Sequence, residues 1–276
     1  MNNQLNSVGD ATGDIVGDIV GDASDFDGVL DRPLGVSRRD ALLRTGGMGA
    51  LLALGGLPIA LAGISERAYG QAALSQQVID VLNFALTLEM LESTFYNMGM
   101  GTSGLIPSAD RTVFGQIQKH ENDHVAFLQS ALGSNAIGPL QFDFTAGGMF
   151  NPFGDYPTFL VLSQGFEDTG VRAYKGQATN LMSNGTILTY ALRIHSVEAR
   201  HASEVRRIRG EKGWITGADP TAPMALAAVY AGEDNTMQGG IDVSRFLGAD
   251  AATEAFDEPL DKTAVLAIAG PFIKAS

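Results

Sequence analysis

From residue 74 onward the chain reads as four amphipathic segments. Apolar residues at Val78, Leu82, Ala85, Leu86, Leu91 and Tyr96 keep to one helical face, which predicts a helix over 74–100 closed by Gly99 and Gly101. A second helix is expected from Ser108, a candidate N-cap with Asp110 in the first turn, to Gly133; its seam is Phe114, Ile117, Leu128 and Ala131. The third runs from Pro157 to Met182 with Leu160, Val171, Tyr174 and Leu181 on its stripe. Proline suits a first turn, where its missing N–H has no helical partner anyway. The fourth spans Thr186 to Arg209 through Leu188, Ala191, Ile194, Val205 and Ile208, with Arg206, Arg207 and Arg209 at the end where cations favour the helix dipole. Residues 134–155, rich in Gly, Pro and Phe, make a long crossover. No alternating strand pattern appears in these segments, so the expected fold is all-α: a four-helix bundle over 73–210. Residues 211–276 read as a loop-rich C-terminal extension with a short helix over 259–268. It is expected to pack on the bundle through Trp214, Phe246, Phe256 and Phe272.

The informative positions are the polar ones that interrupt these seams. Glu89 shares a face with Leu82, Ala85 and Leu86. Ile117, Glu121, His124 and Leu128 are spaced four, three and four, which places an acid and an imidazole inside an apolar stripe. Glu167 lies seven after Leu160 and seven before Tyr174; Glu198 lies four after Ile194, and His201 four before Val205. An acid buried alone costs several kcal/mol, about 2 or more even when it neutralises. Two divalent cations would balance the four carboxylates, with two neutral imidazoles completing the set. The pattern also repeats: Glu89 and Tyr96 precede Glu121-x-x-His124, and Glu167 and Tyr174 precede Glu198-x-x-His201, at offsets of 32 and 31 residues between the acids. One Glu-x-x-His is a weak signal, whereas two copies in apolar seams, each preceded by a seam Glu, describe a two-metal site. The predicted ligands are therefore Glu89, Glu121, His124, Glu167, Glu198 and His201. No catalytic residue is expected beyond them. Glu92 reads as a rim carboxylate before an auxiliary ligand, and His120 and His195, off the ligand direction, as groups that either support a ligand from behind or sit at the surface. Tyr96 and Tyr174 read as core, as hydrogen-bond donors to a ligand carboxylate or as electron-transfer groups.

Composition narrows the chemistry. The 276 residues carry 18 Lys and Arg against 31 Asp and Glu, a formal charge of −13, which argues against nucleic-acid binding. There is no cysteine, so disulfides, thiolate metal sites and cysteine nucleophiles are excluded. Neither a Gly-x-x-x-x-Gly-Lys phosphate loop nor a serine triad is apparent. With oxygen and nitrogen ligands alone, two iron or manganese ions fit better than copper.

The first 72 residues differ from the rest. Residues 1–36 hold seven Asp and a Gly-Asp-Ile-Val repeat, and read as a solvated acidic tail. Arg38-Arg39 then precede the uncharged run 45–65 and Gly70-Gln71-Ala72. This stretch, 37–72, resembles a twin-arginine export signal. The run is 21 residues long with six glycines, so it fits either cleavage after Ala72 or retention as a membrane anchor through 45–65. Either way the chain is expected to cross the bacterial inner membrane and work in the periplasm or another extracytoplasmic space.

The chain resembles the ferritin-like domain family that includes desiccation-related proteins. The resemblance rests on Val81-Leu82-Asn83-Phe84-Ala85-Leu86 leading into Leu88-Glu89, and on both Glu-x-x-His pairs. Tyr230-Ala231-Gly232-Glu233-Asp234-Asn235 and Phe256-Asp257-Glu258-Pro259-Leu260 add to it in the extension. It covers about residues 74–274 and implies the bundle, often with an export signal. The leading functional expectation is an exported two-metal protein acting on peroxide or dioxygen, by catalase-like or ferroxidase-like chemistry in oxidative or desiccation stress. The competing expectation is a membrane-anchored, non-catalytic structural or interaction subunit, with a homo-oligomer or a membrane complex as its assembly.

Overall fold

The computed structural model describes residues 74–219 and 224–274, so the expectations for 1–36 and 37–72 lie outside the described residues. The described residues are all-α apart from one small hairpin and one isolated bridge between Phe142 and Ile273. Four long helices make a bundle: α1 (Gln76–Gly101), α2 (Arg111–Leu132), α3 (Tyr156–Gln177) and α4 (Gly185–Ile208). α1 pairs closely with α2 and α3 with α4, while α1 also packs on α3. None of the described helices is long and apolar enough to cross a membrane.

Local chemistry sets the helix starts. The side chains of Ser75, Asp155 and Asn184 accept hydrogen bonds from the backbone N–H of Val78, Thr158 and Ile187, each satisfying a donor that the first turn leaves free. α2 departs from the sequence expectation. Asp110 N and Arg111 N both donate to Pro107 O, at 3.0 and 3.1 Å, so a turn occupies the predicted first turn and the helix begins at Arg111 rather than after Ser108. Asp110 caps nothing; its carboxylate accepts a 2.8 Å bond from Tyr156 Oη and ties the start of α2 to that of α3. α3 also stops early, at Gln177. Residues 178–181 tighten into a 3₁₀ turn that buries Leu181 beside Ile187 and leaves a short reversal into α4.

Two apolar clusters fill the bundle. One holds Phe95, Tyr96, Phe114, Ile117, Phe159 and Val205; the other holds Leu82, Leu86, Leu128, Leu181, Ile187 and Ile194. On α2 and α4 the site-forming residues fall in sequence between members of the two clusters, and on α1 and α3 the clusters overlap around the acid, so the polar residues lie where the two clusters meet. The crossover 134–155 is pinned at Phe144 in the first cluster, and Asp143 N donates to Phe272 O at 2.8 Å.

The extension contains α5 (Ser244–Leu247), α6 (Ala249–Glu254) and α7 (Lys262–Ala269), the last capped by Asp261. It also contains a hairpin of β1 (Met237–Gln238) and β2 (Ile241–Asp242), turned by Gly239 and Gly240. Both glycines have positive φ, as a two-residue hairpin turn requires. The predicted aromatic anchors need correction. Trp214 is 49% exposed, Phe246 77% and Phe256 39%; of the four only Phe272 is buried. The contacts come instead from Leu226, Val229, Tyr230, Leu260, Val265 and Phe272 in the first cluster, and from one buried cation. Arg172 of α3 donates through Nε to Glu258 O at 2.8 Å, through Nη2 to Ala231 O at 2.7 Å and through Nη1 to Val229 O. It also pairs with Glu233 Oε1 at 2.8 Å. Both extension motifs thus converge on one guanidinium.

Candidate metal centre

Each long helix delivers an acid to the layer between the clusters. Glu89 comes from α1, Glu121 and His124 from α2, Glu167 from α3, and Glu198 and His201 from α4, and all six are buried. They face inward because each is three, four or seven residues from apolar neighbours that must be buried.

The two imidazoles organise the geometry. His124 Nδ1 lies 3.1 Å from Glu89 Oε2, 3.2 Å from Glu121 Oε2 and 3.1 Å from Glu198 Oε1. His201 Nδ1 lies 2.8 Å from Glu121 Oε1, 3.3 Å from Glu167 Oε2 and 3.6 Å from Glu198 Oε2. Glu121 and Glu198 therefore offer one oxygen to each histidine. Glu89 serves only the His124 side, and Glu167 only the His201 side. Two groups result, Glu89–Glu121–His124–Glu198 and Glu121–Glu167–Glu198–His201, each with its ligand atoms within 4.8 Å of one another. Glu121 and Glu198 belong to both.

The outer oxygens of the unshared acids are held crosswise. Tyr174 Oη on α3 donates to Glu89 Oε1 on α1, and Tyr96 Oη on α1 donates to Glu167 Oε1 on α3, both at 2.5 Å. For both tyrosines the hydrogen-bonded reading is realised, within a buried setting.

Residues 77–211 match the sequence profile of the ferritin-like domain family. The chain carries a ferritin-like domain. No curated protein matches the chain significantly.

The ferritin-like domain fits a pair of cations on physical grounds. Glu121 Oε1, Glu167 Oε2, both oxygens of Glu198 and His201 Nδ1 are buried without a hydrogen-bond partner. Their mutual approaches lack hydrogen-bond alignment. Among the described residues no Lys or Arg forms an ion pair with the four acids. Protons take the place of cations when none is bound. Burial pushes the His201 imidazole down, but Glu167, with Glu121 and Glu198, overcomes this and raises it to about 12. Burial likewise opposes His124, and Glu89, Glu121 and Glu198 raise it strongly. Burial raises Glu121 well above the carboxylate range and Glu167 to about 7. Glu198 is the exception: burial raises it, yet the two histidines pull it down to about 2.

The residues around the six ligand candidates are less faithful to expectation. Glu92 is not on a rim; it is 3% exposed, and burial, then Glu198, raises its carboxyl well above the usual range. Gly170 makes room for it, since a Cβ there would lie 3.2 Å from Glu92 Oε1. His195 is partly buried on α4, its Nε2 without a hydrogen-bond partner. His120 takes the first of the two roles expected of it, behind a ligand: its Nδ1 lies 2.9 Å from His201 Nε2. The sequence signal for that contact was its position one residue before Glu121.

Proposed function

We propose that this protein holds two iron or manganese ions in its ferritin-like domain and uses them, after export, for redox chemistry on peroxide or dioxygen. The observation that carries this reading is the division of labour among the acids: two shared between both histidines, one reserved for each. In this assignment Glu121 and Glu198 would be shared by the two ions, Glu89 and His124 would hold one of them, and Glu167 and His201 would hold the other. Two such ions supply paired one-electron changes, matching the two-electron chemistry of peroxide or dioxygen.

The chain's own residues do the rest. Tyr96 and Tyr174 fix the outer oxygens of Glu167 and Glu89, leaving one oxygen of each acid aimed inward. The apolar clusters above and below keep bulk water from competing for the ligands. The Arg38-Arg39 segment supports export, since a twin-arginine route carries a chain that has folded around its ions.

The test is metal analysis of protein isolated from its own host, with its N-terminal residue. The reading expects about two iron or manganese ions per chain. It also expects Glu121→Ala to lose both, together with peroxide disproportionation or ferrous-ion oxidation. A metal-free chain still carrying residues 1–72 and bound to membrane would overturn it in favour of the anchored scaffold.

A further inference from the structure

The two site histidines sit in equivalent sequence motifs, yet their outer nitrogens meet different surroundings. His201 points Nδ1 at the carboxylates, and its Nε2 lies 2.9 Å from His120 Nδ1. The rings are within 11° of parallel with centroids 5.2 Å apart, so with that short N···N contact they meet edge to edge, in the plane of the lone pairs. The far nitrogen of His120, Nε2, lies 2.6 Å from Nε2 of the Gln116 side-chain amide, one turn earlier on α2. A line of contacts thus runs from the buried carboxylates through His201 and half-buried His120 to exposed Gln116. Among the described residues the His124 half shows no equivalent line of contacts. The residue before Glu198 is Val197, whose side chain can neither donate nor accept.

We infer that His120 is a positioning residue that makes the two ion positions unequal, so that the His201 position binds its ion more tightly and fills first. The inference rests on the two-ion reading. A neutral imidazole carries one proton. If Nδ1 of His201 offers its lone pair to a cation, that proton sits on Nε2 and is donated to His120 Nδ1. His120 must then carry its own proton on Nε2, and the Gln116 amide, whose Nε2 faces that nitrogen in the ion-free chain, must flip to present Oε1 as the acceptor. Each tautomer sets the next, and the His201 ring is held in its ligating orientation. A histidine ligand with its second nitrogen held in this way is oriented and more basic, and losing the partner costs about 10- to 100-fold in metal affinity.

The experiment is a stepwise titration of the metal-free full chain with Co(II), followed by calorimetry and visible absorption. Wild type is expected to bind in two resolved steps. His120→Ala should weaken the tighter step by about 10- to 100-fold and leave the weaker step in place, merging the two. His120→Asn, which can still present an acceptor to His201 Nε2, should restore part of the separation. Gln116→Ala changes an exposed side chain, so it keeps the test decisive should His120→Ala fold poorly; it should shift the same step by less. Two steps in wild type that neither variant alters, or a loss shared equally by both steps, would overturn the inference while leaving the two-ion reading intact. Failure of wild type to take up any Co(II) would overturn both.

Discussion

Glu167 and Asp168 are consecutive on α3, both are buried, and they accommodate burial in opposite ways. Asp168 turns toward a cation that the chain itself provides. Arg206 Nη2 donates to Asp168 Oδ2 at 2.6 Å and Nη1 to Asp219 Oδ2 at 2.8 Å, while Tyr230 Oη adds a 2.8 Å bond to Asp168. Arg206 also lies over the Tyr230 ring. Glu167 turns the other way, into a layer of three further acids and two imidazoles with no guanidinium or ammonium. One buried charge cluster is complete in the polypeptide. The other is balanced only by protons or by ions from outside, which marks it as a site and the Arg206 cluster as a brace.

The largest effect expected from this contrast comes from substitutions in the two clusters of metal-free protein. Arg206→Ala removes the guanidinium that pairs with Asp168 and Asp219 and should cost about 3–5 kcal/mol in urea unfolding. Glu167→Gln removes one of four crowded acids while keeping an acceptor for Tyr96, so the same measurement should show no loss or a gain. If Glu167→Gln destabilised as much as Arg206→Ala, the site would be another brace.

A second expected effect is a reversal of pH dependence. Without ions, His201 and His124 are both raised well above the usual imidazole range by the acids around them, so above pH ~6.5 the folded chain keeps protons that the unfolded chain releases. Stability should then fall as pH rises, by about 1.4 kcal/mol per pH unit for each retained proton. Ion uptake expels those protons, so affinity should rise over the same interval. Urea midpoints and Co(II) titrations between about pH 6.5 and pH 9 read both slopes. Slopes of the same sign would show that protons and ions do not compete for the layer.

The smallest effect concerns the extension rather than either cluster. A Cβ at Gly176 would fall on the backbone carbonyl of Leu260, next to the Leu260 N to Arg172 O bond. Gly176→Ala should cost about 1–3 kcal/mol, lower the thermal midpoint and open the extension to protease while ion uptake persists. Loss of the ions together with the extension would instead make that strap part of the site.

The two clusters were unequally legible in the sequence. Glu89, Glu121, His124, Glu167, Glu198 and His201 stood out because an acid or imidazole in an apolar seam violates the period of its own helix. Asp168 and Arg206 violate nothing locally, and Asp219 comes from a loop with no period. The extension failed for a related reason. Trp214, Phe246 and Phe256 are large and apolar, but a single aromatic in a loop carries no face, whereas Arg172, a charged residue mid-helix, became the anchor through backbone carbonyls brought from Val229, Ala231 and Glu258.

The sequence by itself determined which side of each helix is dry and which acids interrupt it, because helical period is a property of one segment. Only the tertiary structure decided who meets whom: Tyr174 with Glu89, Tyr96 with Glu167, His120 with His201 but nothing equivalent at Val197. Those pairings depend on the axial shift and rotation of one helix against another. The packing of the two apolar clusters sets both.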